Sequence, residues 1–392
     1  MKGKQKMPDE GLKRRFTIGI LLGGASSEKE ISLESGRHVY NSLNRKKYVV
    51  IPIFVDHNNH LWEVDEGLLW MNTCADIEGS LSALGKRIYY EELKEKLDFA
   101  FLALHGKFGE DCFPGLFHLL DIPNNSGGVL GGSVGMDKYF QKKILKAAGL
   151  QVPKYIGVEK NWNENTLQQI EKEIGYPCIV KPSREGCSIG LTKINHKSQF
   201  AEAFEKAFCY DNLILVEEFI EGQEITVTVL GNALPVAFTP TETPSKKDYL
   251  TVEEKFLPGD ATMITPPNLP PAAIERIKSD CIKVYKALGL KSMTRIDGIF
   301  KDGRFYFKRT KNETKGVRMQ RLQPMRSNAT QANQKTLPRR QAGASVSEGV
   351  FYILEPNTPP GMTPSTCVFH QAAEADLTAS ELLDKIISDS MV

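Results

Sequence analysis

Three short stretches combine residue types and spacings that could act on a phosphorylated substrate. The first is Lys181–Gly190, KPSREGCSIG, where a strand delivers a lysine into a loop containing Gly186, Ser188 and Gly190. Small residues let backbone N–H groups approach phosphate oxygens, and the lysine supplies a positive charge. Because the lysine precedes the glycines, this is neither a Walker A loop nor G-x-G-x-x-G, and alone it reads equally well as a surface loop. The second stretch is Leu215–Glu224, LVEEFIEGQE, whose Glu217 and Glu224 could receive an adenine amino group and a ribose hydroxyl. A solvated strand end explains those two acids as readily. The third pairs Arg295-Ile296-Asp297 with Glu355-Pro356-Asn357. Residues two apart on a strand share a face. Two carboxylates and an amide oxygen on adjacent strands make a hard, oxygen-rich site suited to Mg2+ shared with phosphates. An arginine on that face can stabilise charge that develops during acyl and phosphoryl transfer. Exposed ion pairs would account for this stretch taken singly. Taken together, the three point to ATP- and Mg2+-dependent activation of a small carboxylate for attack by an amine.

The elements that must carry these residues follow from hydrophobic patterning. Phe16–Leu22 reads as a buried strand, Gly23–Glu28 as its turn and Ile31–Leu43 as a helix; Val49–Val55 and Phe99–Leu104 are further β-type runs. Strands alternating with helices predict an α/β fold with a parallel first sheet and functional loops at the strands' carboxyl ends. A helix at Asp137–Ala148 leads into a second unit with strands at Cys178–Lys181, Leu215–Glu218 and Ile225–Leu230. Helices at Asn165–Ile174 and Ser198–Phe208 lie between them. A third unit begins near Val236, with a helix at Pro271–Leu288, strands near Thr294–Phe300 and Gly349–Glu355, and a last helix at Ala379–Ile387. The boundaries expected are a tail at 1–13, an N-terminal unit at 14–134, a central unit at 135–232 and a C-terminal unit at 233–392.

Composition narrows the class. A chain of 392 residues, 41% hydrophobic and 25% charged, has material for two or three modules and a core. The net charge of +2 is uneven, since ten basic residues and only one acid, Glu313, lie between Lys308 and Arg340. The rest of the chain is therefore mildly acidic. Seven scattered cysteines, none in a C-x-x-C pair, argue against a disulfide framework or zinc site and for a reducing compartment. No apolar run reaches membrane-spanning length, and Lys13-Arg14-Arg15 before Phe16–Leu22 reads as the approach to a first strand rather than a signal peptide. His57 and His60 lack further ligand-type neighbours and read as surface residues.

With these motifs in view the chain resembles a D-alanine–D-alanine ligase of the ATP-grasp superfamily, from about Phe16 to the C-terminus with one interruption. The likeness extends to Leu22–Ser32 (LGGASSEKEIS), Leu104–Asp111 (LHGKFGED), Gly135–Lys138 (GMDK) and Asn357–Thr363 (NTPPGMT). It implies a Rossmann-like N-terminal domain followed by two ATP-grasp subdomains, with ATP held between them. It also implies a cytoplasmic, homodimeric enzyme of peptidoglycan precursor synthesis that needs neither a membrane nor nucleic acid. By the same resemblance Glu28 would hold the ammonium of the first D-alanine, and His105 would lie beside its carboxylate. Lys138 and Lys181 would contact ATP phosphates, together with the Ser188 loop. Glu217 would read the adenine edge, the backbone near Phe219 and Ile220 the rest of the base, and Glu224 the ribose. Asp297, Glu355 and Asn357 would bind two Mg2+ (or Mn2+) ions. Arg295 and the Gly361 N–H would stabilise the tetrahedral intermediate, and Thr366 would help seat the second substrate. Lys255 falls on the family's mobile loop, roughly 245–262.

Three departures stand against this pattern. The family's serine that hydrogen-bonds the substrate glutamate reads Cys187 here, and its loop tyrosine reads Phe256. A thiol is a weak donor and phenylalanine has no hydroxyl, so the tether to Glu28 should be weaker. Phenylalanine at that position is shared with ligases of the family that accept D-lactate, which leaves D-alanyl-D-lactate synthesis as an alternative. The third departure is a basic, Gln/Asn-rich insert at about 308–346 with the composition of disorder. It reads as a solvated insert ahead of a nucleic-acid- or partner-binding arm, and translated non-coding sequence would look the same. Either Arg304–Phe307 or Val350–Leu354 could pair with Thr294–Phe300, and only the second brings Glu355 and Asn357 to Asp297. If the insert displaces them, the chain would be a catalytically impaired nucleotide-binding homologue.

Overall fold

The computed structural model describes residues 15–244, 263–302 and 349–391. The insert, Arg304–Phe307, and the stretch holding Lys255 and Phe256 therefore lie outside the described residues.

Strands β1 (Phe16–Gly23), β2 (Tyr48–Val55), β3 (Leu61–Glu63), β4 (Lys86–Ile88) and β5 (Phe99–Leu102) form the first sheet in the order β4-β3-β2-β1-β5. The core β2-β1-β5 is parallel, as expected, and β3 and β4 add an antiparallel edge. The central run of β1 is apolar without alternation, and its residues from Ile18 to Leu22 are buried because both faces of the sheet are covered. Leu33 and Val39 of the helix Lys29–Ser42 cover one face. Leu382 and Ile386 of the last helix, Ala379–Ser390, join the same core, so the chain's end packs on its beginning.

The second sheet holds β6 (Tyr155–Glu159), β7 (Cys178–Pro182), β8 (Thr192–Ile194) and β9 (Leu213–Glu218) in the order β6-β9-β7-β8, and every pairing is antiparallel. The third holds β10 (Gln223–Leu230), β11 (Val236–Ala237), β12 (Thr241–Glu242), β13 (Met293–Lys301) and β14 (Val350–Asn357), with β11-β10-β13-β14 in line and β12 beside β10. The strand read as Ile225–Leu230 and expected in the central unit thus belongs to the third sheet, through its ladder with β13. Composition marks an apolar strand but does not choose its partner, which is why this assignment differed. The charged run Tyr89–Lys96 forms a single tight turn at Tyr90–Glu92 followed by a short helix, Leu93–Lys96.

Two local features set up the site. Asp137 caps the helix Lys138–Ala147, its side chain accepting from the N–H groups of Tyr139 and Phe140, so Lys138 sits in the first turn. In the β13–β14 ladder Arg295 faces Asn357 and Asp297 faces Glu355, but the next pair is Gly298 with Ile353. Leu354 is skipped, which is a β-bulge and re-aims the strand beside it. Gly298 is required there, since an added Cβ would lie 2.6 Å from the Tyr352 carbonyl oxygen.

Candidate active site

One pocket is lined by Glu28, Ile31, His105, Glu110, Cys187, Arg295, Glu355, Asn357, Pro359 and Gly361, drawn from all three units. Seven of these were singled out from the sequence: Glu28, His105, Cys187, Arg295, Glu355, Asn357 and Gly361. Ile31, Glu110 and Pro359 were not.

Glu28 is 7% exposed and immediately precedes the helix Lys29–Ser42. Its N–H donates to Ser26 Oγ (3.1 Å), and that hydroxyl donates to the His105 carbonyl (2.6 Å). The loop Lys181–Gly190 folds over it, and the Cys187 thiol donates to Glu28 Oε1. Cys187 makes this contact from a left-handed backbone conformation (φ 51°). Gly186 and Gly106 also crowd the carboxylate; a Cβ on Gly106 would come within 2.9 Å of Glu28 Oε2. Burial pushes the Glu28 carboxyl above its usual range, against the pull of Cys187 and Lys138. Glu110, also 7% exposed, accepts from the Gly106 N–H (2.9 Å) and is pushed up to about 8 by burial and then by Glu28.

His105 is held by Ser35, whose Oγ accepts from the Met362 N–H (3.0 Å) and so offers its own proton to His105 Nε2 (2.8 Å). The other ring nitrogen donates to the Pro359 carbonyl, since proline has no N–H to offer. Burial, reinforced by Arg295, pushes the imidazole down to about 3, so it is neutral, and with its one N–H given to Pro359 it can lie beside a carboxylate only as a packing surface.

The bulged ladder brings the metal-type residues together. Asn357 Nδ2 donates to Asp297 Oδ2 (3.1 Å), and Arg295 forks onto the same carboxylate at 2.8–3.2 Å. Lys138 lies 3.2 Å from Glu355 and donates to the Glu185 carbonyl (2.5 Å). Arg295 and Lys138 stay charged because, against their burial, Asp297 and Glu355 respectively hold the proton on. Among the described residues no three His, Cys, Asp or Glu side chains gather as a metal site; the set consists of two carboxylates and one amide. Its hard oxygen donors, paired at present with two cations, fit a divalent ion arriving with phosphate. The register also answers which strand pairs with β13: it is Val350–Asn357.

The residues expected to meet a nucleotide lie on β7 and β9 and in the stretches that follow those strands. Glu217 is 2% exposed, with Lys181 3.1 Å from Oε2 and Lys142 3.2 Å from Oε1. The Lys142 contact is ionic, since Glu217 Oε1 accepts no aligned hydrogen bond. Although burial alone would raise it, the two lysines hold Glu217 below the usual carboxylate range. The Phe219 ring lies under the Lys193 ammonium at 3.8 Å, and its N–H is already donated to the Pro177 carbonyl (3.2 Å). Ile220 follows in the half-buried turn before β10. Glu224 lies opposite Ile299 in the ladder. Ser188 (φ 62°) sits on the loop next to Cys187 but off the pocket lining. Thr366 is not in the lining either: it is buried at the start of the helix Cys367–Glu374, and its hydroxyl donates to the Thr363 carbonyl (2.8 Å). Glu185, unremarked in the sequence, pairs with Lys107 (2.6 Å) and accepts from Ser27 Oγ (2.8 Å), tying the glycine loop to the first unit.

Comparison with known proteins identifies the family. The family models described as D-ala D-ala ligase N-terminus and C-terminus match residues 17–126 and 144–317. The D-alanine–D-alanine ligase of Carboxydothermus hydrogenoformans is 33% identical over 375 residues, covering 94% of this chain and 96% of that protein. That of Geobacillus thermodenitrificans is 36% identical over 309 residues, 74% of this chain and 84% of that protein. Among solved structures, the VanG D-Ala:D-Ser ligase from Enterococcus faecalis superposes with a TM-score of 0.75 at 24% identity, over 96% of this chain and all of that one. The D-alanine–D-alanine ligase from Bacillus anthracis superposes with a TM-score of 0.66 at 25% identity, over 96% and 97%.

Proposed function

The chain belongs to the D-alanine–D-alanine ligase family and is an ATP-dependent ligase of ATP-grasp fold, and from that premise we propose how its own residues join two D-alanines. The observation that carries the assignment of roles is the convergence of Glu28, His105, Arg295, Glu355 and Asn357 on one pocket. Glu28 takes the ammonium of the first D-alanine, an ion pair that returns its carboxylate to the ionised form. His105, neutral and clamped by Ser35, packs beside that substrate's carboxylate. The carboxylate attacks the γ-phosphate of ATP, breaking its bond to the β-phosphate oxygen to give D-alanyl phosphate and ADP, while Lys138 and Lys181 turn from Glu355 and Glu217 to phosphate oxygens. The amine of the second D-alanine then attacks the acyl carbon and phosphate leaves. Arg295 and the Gly361 N–H face the oxyanion that forms there.

The family uses ATP and a divalent metal; we assign Mg2+, held by Asp297, Glu355 and Asn357. Bound there, it supplies charge neutralisation for the transferring phosphate. The reading further assigns a cytoplasmic homodimer supplying peptidoglycan precursors. No described helix is long and apolar enough to cross a membrane.

The test is product analysis of the intact chain supplied with ATP, Mg2+ and D-alanine. The expected result is stoichiometric D-alanyl-D-alanine, ADP and phosphate, with D-lactate competing poorly across pH. D297N should lose at least about 100-fold in turnover, the scale for removing one electrostatic group from a transferring centre. An intact chain that binds ATP without forming product, but gains activity when residues 308–346 are deleted, would refute it.

A further inference from the structure

Lys142 is a lysine with no exposed surface, and the reaction just described does not use it. It lies one helical turn beyond Lys138, so both ammonium groups leave the helix Lys138–Ala147 on one face. Lys138 reaches Glu355, whereas Lys142 reaches Glu217 Oε1 (3.2 Å) and the carbonyl of Leu354 (3.3 Å), the residue skipped at the β14 bulge. A fully buried lysine is rare and is costly to desolvate, and an apolar side chain of similar volume would fill the space without that cost. Burial pushes its ammonium down to about 8 even with Glu217 beside it.

Geometry explains why the lysine is retained. Glu217 is bridged by two cations, Lys181 on one oxygen and Lys142 on the other. In the proposed reaction Lys181 turns to phosphate when nucleotide binds. Lys142, which has no exposed surface and is anchored to the Leu354 carbonyl, cannot follow. We propose that Lys142 is a positioning residue: it remains with Glu217 after Lys181 leaves and holds that carboxylate as a fixed acceptor for the exocyclic amine of the purine. A buried carboxylate stripped of both cations would take up a proton instead. It would then donate to a carbonyl as readily as it had accepted from an amine. Selection of adenine over a 6-oxopurine thus depends on a lysine that need not touch the base. This inference rests on the reading in which Glu217 faces adenine and Lys181 serves phosphate.

The experiment measures ATP and ITP binding by titration calorimetry on the full-length chain without D-alanine, for wild type, K142M, K142Q and E217Q. ITP carries a carbonyl where ATP carries the amine. K142M should lower the ATP-over-ITP preference by roughly tenfold, the scale for losing one hydrogen bond to a charged group. It should leave the D-alanine KM in the ligase assay within about twofold, because the contacts are not shared. K142Q keeps an N–H for Glu217 and should fall between K142M and wild type; it also decides the matter if K142M does not fold. The double variant K142M/E217Q should be no less selective than E217Q alone. Equal loss of ATP and ITP affinity, or no loss in either lysine variant, overturns the proposal. A wild type that binds ATP selectively but forms no dipeptide would instead overturn the ligase reading and leave the Lys142 result interpretable.

Discussion

At the pocket, Glu28, Glu110 and Glu355 meet one lysine, Lys138, whereas at the nucleotide end Lys142 and Lys181 share one carboxylate, Glu217. The first region has more acids than cations, and the carboxyls of Glu28 and Glu110 are pushed up. The second has more cations than acids; Lys142 is pushed down and Glu217 is held down. Each end is thus short of the charge that its proposed substrate brings, an ammonium at one and a polyphosphate at the other. Burial makes the imbalance costly in the free protein, and binding relieves it. Lys138, between the two ends and paired with Glu355, is the cation that either substrate could draw on.

The sharpest way to break the comparison is to remove a charge at each end and look for opposite selectivity. E28Q should raise the D-alanine KM by about 100-fold, the cost of breaking a buried ion pair, and leave the ATP KM within about threefold. K181M should do the reverse, raising the ATP KM by roughly tenfold with little effect on D-alanine. Steady-state kinetics on both variants would check this, and equal effects on both substrates would show that the ends do not act separately.

A smaller effect concerns stability and pH. A buried carboxyl raised to about 8 stays protonated in the fold while the unfolded chain ionises near its ordinary value of 4.5. Its contribution is therefore complete below about pH 4.5, falls as pH rises towards 8 and is lost above it. E110Q carries a neutral amide at every pH, so its melting temperature should match wild type near pH 5 and exceed it by a few degrees at pH 8. Thermal melts across that range test the sign; a variant that is less stable at pH 8 than wild type would mean that ionised Glu110 is the favoured form.

The smallest effect is expected at the thiol. C187S restores a stronger donor to Glu28 in the same loop conformation, and the D-alanine KM should shift by no more than about threefold. A larger change would mean that the Cys187 contact, rather than the surrounding charge, tunes the pocket.

Much of the site was legible in advance because its chemistry depends on residue type. Arg295, Asp297, Glu355 and Asn357 read as a candidate metal and phosphate site, and the ladder seats them on adjacent strands. Glu110 was quoted within LHGKFGED yet not recognised, because a glutamate in a glycine-rich loop looks the same whether solvated or buried. Lys142 was missed for a similar reason: at helical spacing from Lys138 it reads as a solvated face, and only packing against β9 and β14 puts it inside. For Thr366 the structure adds a local partner that residue type could not name, the Thr363 carbonyl within its own turn.

The sequence by itself determined the apolar strands, the helix that begins near Asp137 and the residue types of the opening motifs, all of which depend on local preference. It did not determine that β10 joins the third sheet, that most of the pairings run antiparallel, or that the bulge skips Leu354. Those rest on hydrogen bonds between segments far apart in the chain. The same holds for the three residue types read first. A lysine loop, an acidic strand and a pair of metal strands were visible as fragments, but their charges are set by burial among one another. Only the tertiary structure decides which carboxyl meets which cation, because desolvation is a property of the assembled neighbourhood and not of any single stretch.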